Sequence, residues 1–173
     1  MPALVTDRLR LVPITLDGIL AVLDNDKLRA EAIVGAAFPA SWPSEELLVS
    51  GFPYSRDAIK ASPDTRLWGD SLILLKHEPR VIGSVVFHGH PADGVAEVGY
   101  SIEEAHRSNG FAIEATRACV EWALAQPGIE AVQATTFEWH LASLGVIRGV
   151  GMQQVAVRDH DTLGSLLVFE RRR

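Results

Sequence analysis

Cysteine is nearly absent. Cys119 stands alone among 173 residues, so the chain can close no internal disulfide and cannot build a multi-cysteine metal site. A reducing cytoplasm is the compartment that fits this usage. Long apolar runs are missing as well: no stretch reaches the ~18 consecutive apolar residues of a membrane span. Residues 1–10 hold Asp7, Arg8 and Arg10 and lack the apolar segment of a secretory leader. There is no basic excess. Sixteen Lys and Arg against 22 Asp and Glu give a net charge of −6. That balance excludes nucleic-acid binding through a general basic surface and mildly disfavours acidic substrates. The terminal Arg171, Arg172 and Arg173 read as a solvated end. Repeats, low-complexity tracts and long linkers are also lacking, so one domain over residues 1–173 is expected.

What remains is an ordinary globular composition, 47% apolar and 22% charged. Leu9, Leu11 and Val12 read as a first strand, kept short or at an edge by Pro13. Thr15 and Asp17 can cap a helix through about residue 24. Four prolines then interrupt the pattern around two expected helices, residues 44–50 and 55–61, the first opened by acids at Glu45 and Glu46. Residues 70–76, 81–88 and 96–102 read as three strands joined by short turns, an antiparallel meander. A long helix is expected over residues 110–125, with Ala112, Ala115, Cys119, Trp122 and Ala123 on one face. A strand over 131–137, a short helix over 142–148 and a hairpin of 153–158 with 165–171 complete the chain. The order is β-α-α-βββ-α-β-α-ββ. It predicts an α/β (mixed α+β) fold: a mostly antiparallel sheet of about six to seven strands flanked by about four helices.

The turn between the third meander strand and the long helix carries the chemistry. A helix start leaves backbone N–H groups without intrahelical partners, and they point along the positive end of the helix dipole, a setting suited to phosphate. Gly110 lets a ligand approach the backbone and Arg107 adds charge at the mouth. A glycine at a helix entrance equally serves plain turn formation. The segment has no Gly-Lys-Ser/Thr ending and no dinucleotide spacing of glycines.

Arg107-Ser108-Asn109-Gly110-Phe111-Ala112 resembles the Arg/Gln-x-x-Gly-x-Gly/Ala signature of the GNAT family of N-acetyltransferases. Glu97-Val98-Gly99-Tyr100-Ser101-Ile102 resembles the family's central strand. Thr6-Asp7-Arg8-Leu9-Arg10-Leu11 is similar to the opening of its ribosomal-protein-acetyltransferase-like branch. Ala142-Ser143 followed by Gly149-Val150-Gly151-Met152 resembles a later segment of that branch. The likeness runs from Thr6 to the C-terminus and is weakest over residues 36–67.

The resemblance implies the GNAT fold and acetyl-CoA as co-substrate, with no metal. The acetyl group would pass directly, in a ternary complex, to a primary amine of a small molecule or to a protein N-terminus. The pyrophosphate would sit on Arg107, Ser108, Asn109, Gly110, Phe111 and Ala112. The pantetheine arm would pair with the backbone of Tyr100, Ser101 and Ile102, where two strands splay. The amine must lose a proton before it attacks, and the thiolate benefits from a donor. Glu97 is the candidate base, or else a structural partner of Arg10 or Lys76. Ser143 is a candidate proton donor, or else a hydroxyl near a helix cap. His140 is a candidate acid or base in a reshaped pocket. Tyr100 reads as packing and Cys119 as core. His88 and His90 form an i, i+2 pair read as loop or substrate-pocket histidines. Trp42, Phe52, Tyr54 and Trp68 either line an acceptor pocket or cover a core edge.

Some positions depart from the family pattern. Ser108 stands where glycine is usual and Asn109 where Arg or Lys is common. His140 replaces an Asn, Gly145 an Arg and Met152 a Phe. Each lost charged phosphate contact is worth about tenfold to a hundredfold in affinity. The alternative function is therefore altered chemistry, or ligand binding alone, on the same fold. The final hairpin leaves an edge strand that can pair between subunits, which predicts a homodimer.

Overall fold

The computed structural model describes residues 2–39, 60–62, 67–160 and 163–173. One sheet of eight strands runs through it: β1 Leu4–Val5, β2 Leu9–Pro13, β3 Ser71–Leu75, β4 Val81–Phe87, β5 Val95–Ile102, β6 Ala131–Phe137, β7 Gln153–His160 and β8 Gly164–Arg172. Their order across the sheet is β1-β2-β3-β4-β5-β6-β8-β7. Every neighbouring pair is antiparallel except β5 and β6. Among the described residues four α-helices have both ends defined: α1 Leu16–Leu23, α2 Lys27–Val34, α3 Phe111–Leu124 and α4 Leu141–Val150. No helix among the described residues is long and apolar enough to cross a membrane.

Strand alternation divides the core into two layers. Ile73 of β3 belongs to one cluster, with Ala96 and Val98 of β5, Val132 and Ala134 of β6, and Ala115, Cys119 and Ala123 of α3. Leu72 and Leu74, its neighbours along the strand, belong to the other, with Ala21 and Ala30 from α1 and α2. Thus α3 and α4 cover one face and α1 and α2 the opposite one. Small residues on α3 let that helix lie close to the strands, and Cys119 is fully buried there, its thiol pushed up to about 12 by burial and by Asp70.

The expected meander, long helix and terminal hairpin all form. The sheet has eight strands because Leu4–Val5 adds a short edge strand against Leu11 and Arg10. Helix α2 lies where no helix was expected. Its ends are well marked, with the Asp26 side chain accepting from Arg29 N and Gly35 left-handed at φ 69°. Only Ala30 is buried, however, so the segment has no apolar stripe to signal a helix. The expected helix over residues 44–50, and all but the last two residues of 55–61, lie outside the described residues, as do Trp42, Phe52 and Tyr54.

Candidate active site

The site begins where the sheet forks. Strands β5 and β6 pair only at Val95↔Ala131, Ala96↔Val132 and Glu97↔Gln133. Beyond Glu97 they part. Residues Val98 to Ile102 keep β4 as their partner, and Ala134 to Phe137 keep β8. Among the described residues the facing edges of the two strands therefore pair with no further strand along a slot, and such edges recruit an extended ligand. Both α3 and α4 start at the open end of this fork.

At its mouth the chain makes a short 3-10 turn, Glu104–His106, and then the loop into α3. Ser108 takes φ 62° and Gly110 φ 77°, both left-handed. Gly110 is the residue before the helix, and no side chain caps that end. The N–H groups of Ser108, Asn109, Gly110, Phe111, Ala112 and Ile113 bond to no acceptor among the described residues. Six free amides at the positive end of a 14-residue helix make a cradle for an anion.

The loop is held from three sides. Arg107 Nε donates to the Ile102 carbonyl at 3.1 Å. The Asn109 side chain donates to the carbonyls of Arg107 and His106 at 2.9 and 3.3 Å. Asn109 thus acts as a brace within the turn. Arg8 reaches in from the start of the chain. Its Nη1 donates to the Asn109 carbonyl at 2.9 Å, its Nε meets Glu114 Oε2 at 2.7 Å, and its guanidinium lies 4.6 Å from the Phe111 ring centre. Thr6 Oγ1 and Arg8 N also donate to Glu114 Oε1. Burial pushes the Glu114 carboxyl up, but these hydrogen bonds and the Arg8 charge together hold it below its ordinary value.

Glu97 sits at the vertex of the fork, on the face opposite α3. His88 Nδ1 lies 3.4 Å from its Oε1, and Thr135 Oγ1 donates to the same oxygen at 2.9 Å. The His88 contact first, then Thr135 and the Arg158 charge, hold the carboxyl below its usual value against the upward push of burial. These partners replace the Arg10 or Lys76 expected from a purely structural role. Lys76 instead donates to the Thr6 carbonyl.

On the α3 side of the fork the Tyr100 hydroxyl donates to the Ser143 carbonyl at 3.0 Å and lies 2.9 Å from Ser143 Oγ. Tyr100 is therefore more than packing. Burial raises its phenol, so it stays protonated, although the Ser143 hydrogen bond acts the other way. Ser143 is the third residue of α4, and its hydroxyl turns to Tyr100.

Not every expected residue converges. His140 precedes α4 without capping it, and its exposed ring stacks on Trp139, 5.7 Å between centres. The histidine pair also separates: His90 lies beyond β4, with Nδ1 3.2 Å from the Pro91 carbonyl and its ring beside Trp68. Trp68 packs on Phe87 and Trp122 at 4.9 Å each, at the edge of the core. The tie between Thr6, Arg8 and Glu114 had no sequence signal of its own, because its partners are more than a hundred residues apart. The Thr6-x-Arg8-Leu9 opening, already conspicuous as a resemblance, was the available pointer.

A forked β5/β6 pair that opens onto an uncapped, glycine-led helix defines an acetyltransferase scaffold. The chain belongs to the GNAT acetyltransferase family, whose domain model matches residues 8–153. A protein of Bacillus subtilis (strain 168) named as an uncharacterized N-acetyltransferase, YjdG, is 26% identical over 152 residues, 87% of this chain and 89% of its own. Among solved structures, the ribosomal-protein-S5-alanine acetyltransferase of Vibrio fischeri superposes with a TM-score of 0.69 at 10% identity, over 99% of this chain and 97% of that one. RimL, a ribosomal L7/L12 α-N-protein acetyltransferase solved with coenzyme A, gives 0.68 at 15% identity, over 98% and 96%. The protein is an acetyltransferase with the GNAT fold, and its structural neighbours include ribosomal-protein acetyltransferases.

Proposed function

We propose that this protein is an acetyl-CoA-dependent N-acetyltransferase that acts on a primary amine of a small molecule or on a protein N-terminus. The observation that carries the reading is the continuity of the fork with the free amides of residues 108–113. An extended pantetheine arm pairs with the open edge of Tyr100, Ser101 and Ile102. Its pyrophosphate then reaches Arg107, Ser108, Asn109, Gly110, Phe111 and Ala112. The thioester is thereby delivered to the vertex, between the Glu97 face and the Tyr100–Ser143 face.

Transfer follows from that placement. The amine loses its proton at the Glu97 end of the fork and attacks the thioester carbon. A C–N bond forms, and the tetrahedral oxyanion is received by a backbone N–H of the open strand. The C–S bond breaks and its electron pair leaves on sulfur. Ser143, hydrogen-bonded to Tyr100, supplies the proton that completes the thiol. No covalent enzyme intermediate is needed. The relatives solved with coenzyme A and those named for ribosomal substrates support a coenzyme slot and a protein N-terminus as acceptor.

Isothermal titration with acetyl-CoA tests the slot. Binding should be saturable at micromolar to low millimolar coenzyme, and Arg107→Glu or Gly110→Pro should weaken it about tenfold or more, the scale of a lost charged contact. Titration with no heat at millimolar acetyl-CoA would overturn the proposal.

A further inference from the structure

The contact between Tyr100 and Ser143 joins the two arms of the fork. Tyr100 is the third residue of β5 past the last β5–β6 pair. Ser143 lies in the first turn of α4, the helix that follows β6 after three residues. The Tyr100 hydroxyl stands 3.0 Å from the Ser143 carbonyl and 2.9 Å from Ser143 Oγ. Among the described residues it is the one partner of that Oγ. Both residues are partly buried. A phenol has one proton to give and can also accept. While the Tyr100 O–H donates to the carbonyl, the Ser143 O–H points back at the phenol oxygen. When the Tyr100 O–H turns to Oγ, the Ser143 proton is released toward a third group. The pair therefore has two hydrogen-bond arrangements, and the second offers a proton to the slot.

We infer that Tyr100 is a positioning residue for the last step of transfer: its hydroxyl aims the Ser143 hydroxyl at the departing thiolate and replaces the proton that Ser143 gives up. The inference rests on the N-acetyltransferase reading and deepens it. As the C–S bond breaks, its electron pair stays on sulfur. The Ser143 Oγ–H bond then breaks and an S–H bond forms. The Tyr100 O–H bond breaks in turn, its proton passes to Ser143 Oγ, and the phenolate takes a proton from solvent. The chemistry favours the pair over a lone serine. A thiol ordinarily titrates near ~8.5 and a phenol near ~10, whereas an aliphatic hydroxyl is a far weaker acid. A serine acting alone would be left as an alkoxide. With the phenol behind it, the negative charge comes to rest on the ring oxygen instead. Burial pushes the Tyr100 phenol up, so at neutral pH it carries the proton that this step needs.

The test uses the full chain, acetyl-CoA and three probes: a peptide with a free N-terminal alanine, one with a free N-terminal serine, and a set of simple primary amines. Thiol release is followed at neutral pH. Ser143→Ala should lower kcat about a hundredfold, the scale of general-acid catalysis. Tyr100→Phe keeps the ring and removes the hydroxyl. It should lower kcat about tenfold, with KM for acetyl-CoA within about twofold of the parent, a split that marks a group acting in the transition state. The double variant should be no slower than Ser143→Ala, because the phenol works only through the serine. Tyr100→3-fluorotyrosine restores the hydroxyl as a stronger acid and should bring kcat back to the parent level. Three results would each overturn the inference and leave the acetyltransferase reading intact: parent-like kcat in Tyr100→Phe or in Ser143→Ala, losses that multiply in the double variant, or a Tyr100→Phe defect confined to KM, which would mark a strap that only shapes the slot. If the parent binds acetyl-CoA yet acetylates none of the probes, both fall together.

Discussion

Glu114 ties two distant parts of the chain with a single carboxylate. It accepts from Thr6 Oγ1, Arg8 N and Arg8 Nε, and Arg8 in turn holds the Asn109 carbonyl of the anion loop. Glu114→Gln keeps the shape and removes the charge. It should cost about 1–2 kcal/mol of stability, within the range of hydrogen bonds to charged groups, readable by urea denaturation at pH 7. The folded carboxyl is a stronger acid than the unfolded one. Its contribution is therefore complete above the unfolded value of ~4.3 and is lost as pH falls through the lower folded value. The difference between parent and Glu114→Gln should shrink below about pH 4. Ser108 offers the converse case. Its φ of 62° is one that L side chains adopt at a cost of about 1–2 kcal/mol. Ser108→Gly should raise Tm by up to about 3 °C, because the gain in the loop exceeds the entropy that glycine adds to the unfolded chain. At this scale the sequence was partly legible. The Arg107 to Ala112 motif marked the loop and Glu97 the vertex. The partners of both, Arg8 and His88, are set by strand pairing, which no local pattern records.

Elements were legible where one period dominated. Strands β3, β4 and β5 alternate or run apolar between clear turns, and α3 carries an unbroken small-residue face. Helix α2 was missed because it buries only Ala30, and β1 because two residues are too few for a period. The fork was visible only through resemblance, since it depends on where the β5–β6 register stops. Helix α4 shows how a departure from the family acts on an element. Gly145 lies mid-helix and exposed, and a Cβ there meets nothing within 4 Å. Gly145→Arg should stabilise the protein by about 0.5–1 kcal/mol through helix propensity alone, seen as a higher denaturation midpoint. Gly145→Ala should give a similar gain, which shows that it comes from helix propensity and not from the added charge.

The sheet as a whole ends unequally. Among the described residues, one edge is β1, two residues long, and the other is β7, eight residues long and paired with β8 alone. Long bare edges invite a second strand, and proteins commonly guard them with charge or cover. Here β7 exposes Val155 and Val157, each more than half accessible, beside Arg158 and Asp159. Two copies meeting edge to edge about a twofold axis would satisfy the unused backbone groups of both and bury the valines. For the homodimer expected from the hairpin, this edge is the seam to test. Sedimentation equilibrium should give a species of about twice 18.8 kDa at tens of micromolar. Val157→Lys should shift it to monomer, because the seam would lose an exposed apolar side chain and gain a like charge on each copy, whereas Val5→Lys on the β1 edge should leave the dimer in place. A single 18.8 kDa species at high concentration would reject the seam. Neither outcome bears on acetyl-CoA binding, since the fork lies inside the sheet, between β5 and β6, with β8 standing between it and β7. The monomeric Val157→Lys protein should thus retain the parent's coenzyme affinity within about twofold.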